Sequence, residues 1–571
     1  MNIRQINCNL PKFGWQRKFQ KECMMRYAYV SDKKANGVVY TPCKMADYLA
    51  GEMVDTLSPK KLTSIRVLDP AIGDGELVLS LLNRVFVLNP NAEITVIGFE
   101  TDSTTISVTK KRIAERYPAV HLKIHNSDFI ETAIFERFLP GTFDYIIANP
   151  PYVRTQILGA EKARYLAGIV GLSGRVDIYY AFIILAKKLL SLNGVAGFIT
   201  SNKFMTIKAG KTVREYLENC AYLKQVTDFG DTKLFEAAVL PCIIIFSGKD
   251  YCNGKPNFTS IYQTKKADSS IRIDIIFDAI NQSGVFTLRD GRNIEIKQGK
   301  LTTDNSGGPW RLSTSESTTW LDRIKEKTWK RFSDIGKIRV GIKTTADNVF
   351  IKEYWPDNDL TPELLMPLIT HRNAGQILPD NDRFWKVLYT HTVINGKKSA
   401  VNLETYPNSM DYLQRHRKQL ESREYIKNAK RNWYEIWVPQ NPEAWKNRKI
   451  VFRDISETPQ FWLDESGAVV NGDCYWIDIF SETSDDELML ALAVANSSFI
   501  EEYYDVKFNN KLYAGKRRFM TQYVNDFPLP NPSSEAAKKV VSLVRTVISN
   551  NRPCDQAVKI VLDNAVRSLF S

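Results

Sequence analysis

The feature that most constrains the fold is a regular alternation, between residues 65 and 248, of short apolar runs with longer amphipathic segments. The apolar runs have the length of buried strands, and the segments between them have the length and periodicity of helices. Strands that alternate with helices favour a parallel sheet covered on both faces. We therefore predict an α/β domain whose strands lie at residues 65–69, 94–99, 122–125, 145–148, 195–200, 224–229 and 242–246.

The pattern changes after this region. A chain of 571 residues is too long for one compact core, so we predict two or three domains. Short strands and turn clusters occupy residues 251–310, and the remainder is irregular and rich in Trp, Tyr, Arg and Lys. We predict an α/β domain over residues 1–265, a connecting segment over 266–309 and an α+β domain over 310–571. One helix is expected over residues 485–504, and two more after Pro532.

The bulk composition bears on partners and location. The net charge of +13 suits a polyanion such as DNA, although a merely soluble basic protein is an equally good interpretation of charge alone. The eight cysteines form no C-x-x-C pair and the five histidines are scattered, so we expect no metal site. The N-terminus lacks a signal-peptide core, and no apolar run is long enough to cross a bilayer. These features predict a cytoplasmic protein.

Acidic residues follow three successive predicted strands. The first strand runs into Asp69-Pro70-Ala71-Ile72-Gly73-Asp74-Gly75, where the glycines let the backbone approach a ligand closely. Glu100 ends the second strand and suits a ribose diol, while the neighbouring Asp102 is the better candidate for a helix cap. Asp128 could accept a hydrogen bond from an adenine amino group while Phe129 packs against the ring. Together they fit a nucleoside with an amino-acid tail, such as S-adenosylmethionine (SAM).

The fourth predicted strand ends in the tetrapeptide Asn149-Pro150-Pro151-Tyr152. Two prolines stiffen this loop, so the Asn149 side-chain oxygen and the Pro150 carbonyl can both point outward as acceptors. Two acceptors aimed at an exocyclic amino group would draw its nitrogen toward tetrahedral geometry and stabilise the positive charge that grows on it during attack. Tyr152 offers a flat ring on which a base could stack. The alternative is a rigid turn with an anchoring tyrosine.

These motifs resemble those of the Taq-type, or gamma-class, amino-group DNA methyltransferases. The resemblance covers nearly the whole chain and implies a Rossmann-like mixed sheet with helices on both faces, followed by a target-recognition domain that binds double-stranded DNA. Gly37-Val38-Val39-Tyr40-Thr41-Pro42 is similar to the family's first cofactor segment. The resemblance implies the following site. Tyr40, Thr41, Asp69, Ala71, Gly73, Glu100, Asp128 and Phe129 would bind SAM, and Asn149, Pro150, Tyr152 and Phe235 would handle a flipped adenine.

Two parts of this assignment stay open. Phe229 and Phe246 are rivals of Phe235 for the ring beside the flipped base, and all three could be ordinary core residues. In the C-terminal region, Lys337-Ile338-Arg339-Val340-Gly341-Ile342-Lys343-Thr344-Thr345 with Asn348 is similar to the opening of the family's recognition domain, and Phe527-Pro528-Leu529-Pro530 to its end. Two basic clusters there, residues 415–431 and 516–518, could contact phosphates, the first with a solvated helix face as the alternative.

The resemblance implies a site-specific adenine-N6 DNA methyltransferase, with a separate restriction endonuclease as a possible partner. One alternative is a fused enzyme that also cuts DNA, for which Asp290, Glu295 and Lys297 give a poorly spaced nuclease-like echo. A second is an RNA methyltransferase, since relatives with the same tetrapeptide act on release factors or ribosomal RNA. A third is a DNA-binding subunit without catalysis, against which the intact cofactor and Asn-Pro-Pro-Tyr segments argue.

Overall fold

The computed structural model consists of two compact units, residues 1–312 and residues 313–571. It describes the following residues: 41–135, 139–152, 168, 177–232, 234, 240–249, 254–264, 271–303, 305–355, 360–380, 384–508, 516–551 and 556–571.

The first unit is built on one twelve-stranded sheet with the strand order β3-β2-β1-β4-β5-β7-β6-β8-β11-β10-β9, in which β12 pairs with β11. Strands β1 to β5 run parallel, β7 is antiparallel to both of its neighbours, and β8 is parallel to β6. The sheet is therefore mixed. Its strands are β1 (Ser64–Asp69), β2 (Glu93–Glu100), β3 (His121–Asn126), β4 (Phe143–Ala148), β5 (Leu190–Ser201), β6 (Leu223–Asp228), β7 (Pro241–Ser247), β8 (Asn257–Gln263), β9 (Arg272–Ile273), β10 (Gly284–Leu288), β11 (Asn293–Thr302) and β12 (Arg311–Ser313).

Helices cover both faces of this sheet. Alternate residues of β4 enter two different cores: Ile146 packs with the helix Tyr179–Leu189, and Ile147 packs with the helices Cys43–Thr56 and Glu76–Leu88. A strand buried on both faces has to be apolar throughout, which explains the continuous apolar runs in the sequence. The other helices of this unit are Ser103–Arg116, Phe129–Phe135 and Lys211–Cys220. The predicted α/β class with a mixed sheet is confirmed.

The segment 266–309 differs from the expected connection. Its described residues include β9, β10 and β11, which extend the main sheet, and the division between units falls after Leu312. Ile294 and Ile296 on β11 are buried in the core beside the helix Cys43–Thr56. Strands β9 and β10 are short, and all three strands lie among turn clusters, so the sequence pattern resembles a linker although the apolar side chains of the ten-residue β11 are in the core.

The second unit combines two four-stranded sheets with a group of helices, which agrees with the predicted α+β class. The single helix expected over residues 485–504 is two helices, which are separated at Asn496 and Ser497. The Asn496 side chain accepts from the backbone nitrogen of Phe461 and donates to its carbonyl, and the Ser497 hydroxyl donates to the carbonyl of Val494. One sheet has the order Gly336–Val340, Cys474–Ile479, Lys449–Arg453, Phe461–Asp464 and the other Ile351–Lys352, Trp385–Leu388, Leu365–Ile369, Val469–Val470. The principal helices are Ser315–Lys327, Pro407–Arg415, Arg417–Glu421, Glu424–Asn428, Asp485–Ala495, Ser498–Phe508, Glu535–Ser549 and Gln556–Leu569.

Candidate active site

The carboxyl ends of β1 to β4 meet at one edge of the sheet because these strands are parallel and adjacent. Asp69 ends β1, Glu100 ends β2, Asp128 follows β3 and Asn149 follows β4. Strand β4 pairs directly with β1, and neighbouring strands lie about 4.8 Å apart. The loop that begins at Asp69 and the loop that begins at Asn149 are therefore neighbours, with Glu100 and Asp128 one and two strands farther along.

Asp69 is the most unusual of these groups. Its carboxylate is fully buried, and one oxygen, Oδ1, accepts a hydrogen bond from the backbone nitrogen of Ala71 at 3.0 Å. The other oxygen, Oδ2, has no hydrogen-bond partner among the described residues. Burial raises the pKa of Asp69 to about 8. A buried carboxylate with an unsatisfied oxygen is suited to a cationic ligand, and the ammonium group of SAM meets that requirement.

The loop after Asp69 is braced by the helix Ser103–Arg116. Thr109 donates to the carbonyl of Gly73 at 2.5 Å, and Arg112 forms an ion pair with Asp74 at 3.0 Å. Gly73 and Gly75 both have positive φ angles, +50° and +80°, so the chain turns here in a way that most side chains disfavour. A Cβ atom at Gly75 would lie 2.8 Å from Thr109. The loop is therefore held in one shape, close to the sheet edge.

The two other acidic groups already have backbone partners. Glu100 Oε1 accepts hydrogen bonds from the nitrogens of Thr101 and Asp102, at 2.7 and 2.9 Å. Asp102 caps the next helix by accepting from Thr104, as its position in the sequence suggests. Asp128 Oδ1 accepts from the nitrogen of Ile130 at 2.8 Å. These bonds fix each carboxylate at the edge, and one oxygen of each is used in doing so.

Phe129 lies in the core. Its side chain is 1% exposed, and its ring contacts Phe99 and Phe182 at centroid distances of 5.3 and 5.4 Å. It anchors the short helix Phe129–Phe135 beneath the edge where Asp128 lies. Its contact with an adenine ring remains a prediction.

The Asn149 side chain is bonded at both ends of its amide. Its Nδ2 donates to the Thr41 hydroxyl at 3.0 Å, and its Oδ1 accepts from the Tyr152 hydroxyl at 2.7 Å. Burial raises the pKa of the Tyr152 phenol well above its usual range, so the phenol stays protonated and can donate. The Asn149 oxygen therefore faces the Tyr152 hydroxyl, which the sequence did not predict. An amide oxygen has two lone pairs, and this bond uses one of them.

Pro150 is buried, whereas Asn149 and Tyr152 are half-buried. The Tyr152 ring meets Tyr179 edge-on at a centroid distance of 6.4 Å. Tyr179 belongs to the buried helix Tyr179–Leu189, so the loop packs against a buried element of the core.

Tyr40 and Phe235 lie outside the described residues, and their predicted roles stay predictions.

Phe229 and Phe246, the rivals of Phe235, are both fully buried. Phe229 packs against Tyr48 and Phe277, and Phe246 stacks on Phe198 at 5.7 Å. Each ring is used in one of the two cores. Both rings are part of the core, and which of the three phenylalanines lies beside a base stays a prediction.

A buried polar cluster at the same sheet edge was missed by the sequence analysis. Asp228, at the end of β6, accepts hydrogen bonds from Asn202 at 2.9 Å, from Tyr262 at 2.7 Å and from the nitrogen of Gly230 at 3.0 Å. Burial raises the pKa of Asp228 to about 6. The cluster fixes the turn after β6. Its signal was only that Asn202, Asp228 and Tyr262 each fall at the end of a strand, which spacing alone does not connect.

Comparison with known proteins identifies the chain. Residues 85–235 match the Eco57I restriction-modification methylase family, and residues 393–529 match the TaqI-like C-terminal specificity domain. The Type II methyltransferase M.BanIII of Aneurinibacillus aneurinilyticus is 37% identical over 565 residues, which cover 94% of this chain and 96% of that protein. The chain belongs to the Type II DNA methyltransferase family. M.BstVI of Geobacillus stearothermophilus, another Type II methyltransferase, is 25% identical over 88% of this methyltransferase and 91% of its own length.

The fold of the methyltransferase is similar to that of two proteins whose structures were solved with DNA or a DNA mimic. The DrdV–DNA complex matches with a TM-score of 0.53 and 11% identity, covering 94% of this chain and 60% of that one. A nuclease-deletion mutant of the Type ISP enzyme LlaGI, solved with a DNA substrate mimic, also has a TM-score of 0.53, with 12% identity and coverage of 94% and 49%. At such identities the likeness concerns the fold.

The nuclease-like residues Asp290, Glu295 and Lys297 of the methyltransferase lie on the hairpin formed by β10 and β11. Asp290 is paired with Arg292 at 2.7 Å, and Glu295 with Lys297 at 3.3 Å. Within the part of the chain that the structure describes, no group of three or more His, Cys, Asp or Glu side chains is arranged to hold a metal ion. None of the helices described is both long and apolar enough to span a membrane.

The first basic cluster of the methyltransferase, residues 415–431, separates into two kinds of side chain. Arg423 is buried and donates to the carbonyls of Thr344, Trp433 and Leu420. Arg415 and Arg417 pair with acids one turn away on their own helices. Lys418, Lys427 and Lys430 are exposed, and they are the cations of this cluster that can meet phosphates.

Part of the second cluster is structural, whereas Lys516 is exposed and its contact with phosphates stays a prediction. Arg517 is buried and pairs with Asp505 at 2.8 Å and Glu501 at 3.2 Å. Arg518 pairs with Asp454 at 3.1 Å. The adjacent Phe519 is fully buried in the helical core. Charge in the sequence does not reveal these acidic partners because they lie far from residues 516–518 along the chain.

Proposed function

We propose that this Type II methyltransferase transfers a methyl group from SAM to the N6 amino nitrogen of an adenine that has been extruded from duplex DNA. The observation that carries the proposal is the adjacency of two loops. The loop at Asp69 carries a buried carboxylate suited to a cation, and the loop at Asn149 carries a rigidly held amide oxygen. They follow two strands that pair directly with each other.

When bound, SAM supplies a methyl group on a positively charged sulfonium, and transfer breaks the S–C bond and leaves a neutral thioether. The residues at the sheet edge fit this cofactor. Asp69 would pair with its ammonium group, Glu100 would accept from the ribose hydroxyls, and Asp128 would accept from the adenine amino group. Ala71 and Gly73 would bring the backbone of the braced loop close to it, and Thr41 and Tyr40 would contact its methionine end.

The chemistry at the target requires acceptors rather than a strong base. Asn149 Oδ1 and the Pro150 carbonyl would accept the two hydrogens of the amino group, which makes its lone pair available for attack and stabilises the positive charge that forms. The proton is then lost to solvent. The Thr41 hydroxyl accepts from Asn149 Nδ2, which leaves Oδ1 on the side of the Tyr152 hydroxyl.

Tyr152 has two functions in this scheme. Its ring would stack against the extruded base, and its hydroxyl holds Asn149 Oδ1 in place before the base arrives. Phe235 is the candidate for the opposite face of the base. The exposed lysines of residues 415–431 and the rest of the second unit would hold the duplex. An enzyme that acts on bacterial DNA would work in the cytoplasm, where that DNA is. A separate restriction endonuclease would share its recognition sequence.

The test is to express the gene in a host that lacks adenine methylation and to sequence the DNA with detection of modified bases. We expect N6-methyladenine in one short motif. The Asn149→Ala variant should give no methylation while it still binds DNA in a gel-shift assay. Methylation at cytosine, or full activity in Asn149→Ala, would refute the proposal.

A further inference from the structure

The second unit, residues 313–571, contains a cleft of about 280 Å³ that is separate from the sheet edge of the first unit described above. Its polar walls come from four separate stretches of chain that the fold brings together. The lining includes Asn348, Thr370, His371, Arg372, Trp385 and Asp473. His371, Arg372 and Asn348 are exposed, so the cleft opens to the surface.

The side chains of the cleft are held in fixed positions. His371 is bonded to Asp473 twice, from its ring Nδ1 at 2.5 Å and from its backbone nitrogen at 3.2 Å. The Thr370 hydroxyl accepts from the Arg372 nitrogen at 3.2 Å and shapes the turn. The Arg372 guanidinium lies over the Trp385 ring, 4.8 Å from its centroid. Stacking on an aromatic ring fixes the plane of a guanidinium and leaves its hydrogen-bonding edge in that plane.

The cleft mixes donors with acceptors. Arg372 is a donor, the carboxylates of Asp347 and Asp473 are acceptors, and Asn348 carries both kinds of group. A phosphate would be repelled by the two carboxylates, whereas the edge of a base pair presents donors and acceptors side by side. The composition of the cleft therefore fits base edges better than the DNA backbone.

The surface beside the cleft supplies the positive charge that the cleft lacks. Gln419 donates to Asn348 Oδ1 at 3.0 Å, which fixes the helix Arg417–Glu421 at the rim. This helix carries the exposed Lys418. A site that reads bases needs phosphate contacts close by to hold the duplex in register.

We propose that this cleft reads bases of the recognition sequence in the major groove, with the stacked Arg372 contacting a guanine. A guanidinium fork matches the O6 and N7 acceptors of guanine, and stacking on Trp385 fixes the fork before DNA binds. The proposal rests on the proposed function only in taking DNA as the substrate. It would hold for whichever base is methylated.

The test compares full-length variants with the wild-type enzyme on plasmid DNA, after the wild-type motif has been determined by sequencing with modification detection. We expect Arg372→Ala to lower kcat/KM on the wild-type motif by about 10- to 100-fold. We also expect it to methylate sites in which one guanine of the motif is replaced. Arg372→Lys, which keeps the charge but not the fork, should show the same relaxation. Lys418→Ala is the matched control and should weaken binding to all sequences equally, with a smaller salt dependence.

Two outcomes would overturn the proposal. One is that Arg372→Ala behaves like the Lys418 control, with uniform weakening and a reduced salt slope, which would make it a phosphate contact. The other is unchanged selectivity in both Arg372 variants with unchanged melting temperatures. Failure of the proposed function looks different, because the wild-type enzyme itself would then methylate another base or none.

Discussion

The bond between Thr41 and Asn149 gives the sharpest test of the catalytic loop. Thr41→Val removes the hydroxyl that accepts from Asn149 Nδ2 at 3.0 Å but keeps the shape of the side chain. A hydrogen bond of this kind contributes about 1 kcal/mol, and without it the half-buried amide has a second way to orient its oxygen. Because the orientation of that oxygen matters most when charge forms on the target nitrogen, the loss should appear in kcat. We expect a fall of about fivefold to tenfold in the single-turnover rate.

Thr41→Ser is the matched control, since it keeps the hydroxyl and should retain most of the rate. The affinity for SAM is measured in parallel by calorimetry, because Thr41 is also a predicted cofactor contact. If Val and Ser lower the rate equally, or if Val lowers only the affinity for SAM, then Thr41 does not position Asn149 and the reasoning is wrong.

Three further predictions follow from the same structure. Asp69 is protonated below its pKa of about 8, and it must lose that proton to pair with an ammonium group. The affinity for SAM, measured by calorimetry, should therefore rise about tenfold per pH unit between pH 5 and 7. The Asp69→Asn variant should bind SAM weakly and with no dependence on pH, and a flat pH profile of the wild-type affinity would contradict the assigned role. Arg423→Met should lower the free energy of unfolding by about 3 kcal/mol in denaturant melts because it leaves buried carbonyls unpaired, whereas Lys418→Ala should leave it unchanged. Replacing Lys418, Lys427 and Lys430 together by alanine should reduce the slope of log binding constant against log salt by about 2 to 3, and an unchanged slope would exclude this surface from DNA binding.

The central sheet could be predicted from the sequence because its strands are buried on both faces. The predicted strands at residues 65–69, 94–99 and 145–148 correspond to β1, β2 and β4 within two residues at each end. The sequence predicts short strands within residues 251–310, but it does not place β9 to β11 in the main sheet, because turn clusters separate them and spacing alone does not say which strands they pair with.

The positions of the site residues followed from topology, whereas their partners did not. Parallel strands bring their carboxyl ends together, so the meeting of Asp69, Glu100 and Asn149 at one edge was foreseeable. The bonds from Asn149 to Thr41 and Tyr152 depend on the fold of a loop and could not be read from spacing. The same holds for Arg517, whose acidic partners Asp505 and Glu501 hold it in the protein interior.

The reversed strand β7 has a consequence for how the enzyme can change. Because β7 runs antiparallel between β5 and β6, the ends of β5, β6 and β8 face the same way as those of β1 to β4. The border between β1 and β4 divides this row: the predicted SAM contacts Asp69, Glu100 and Asp128 lie on one side, and Asn149 and the Asp228 cluster lie on the other. In the proposed function, mutations on the second side would therefore remodel the pocket for the acceptor base and leave the three carboxylates that would bind the donor unchanged.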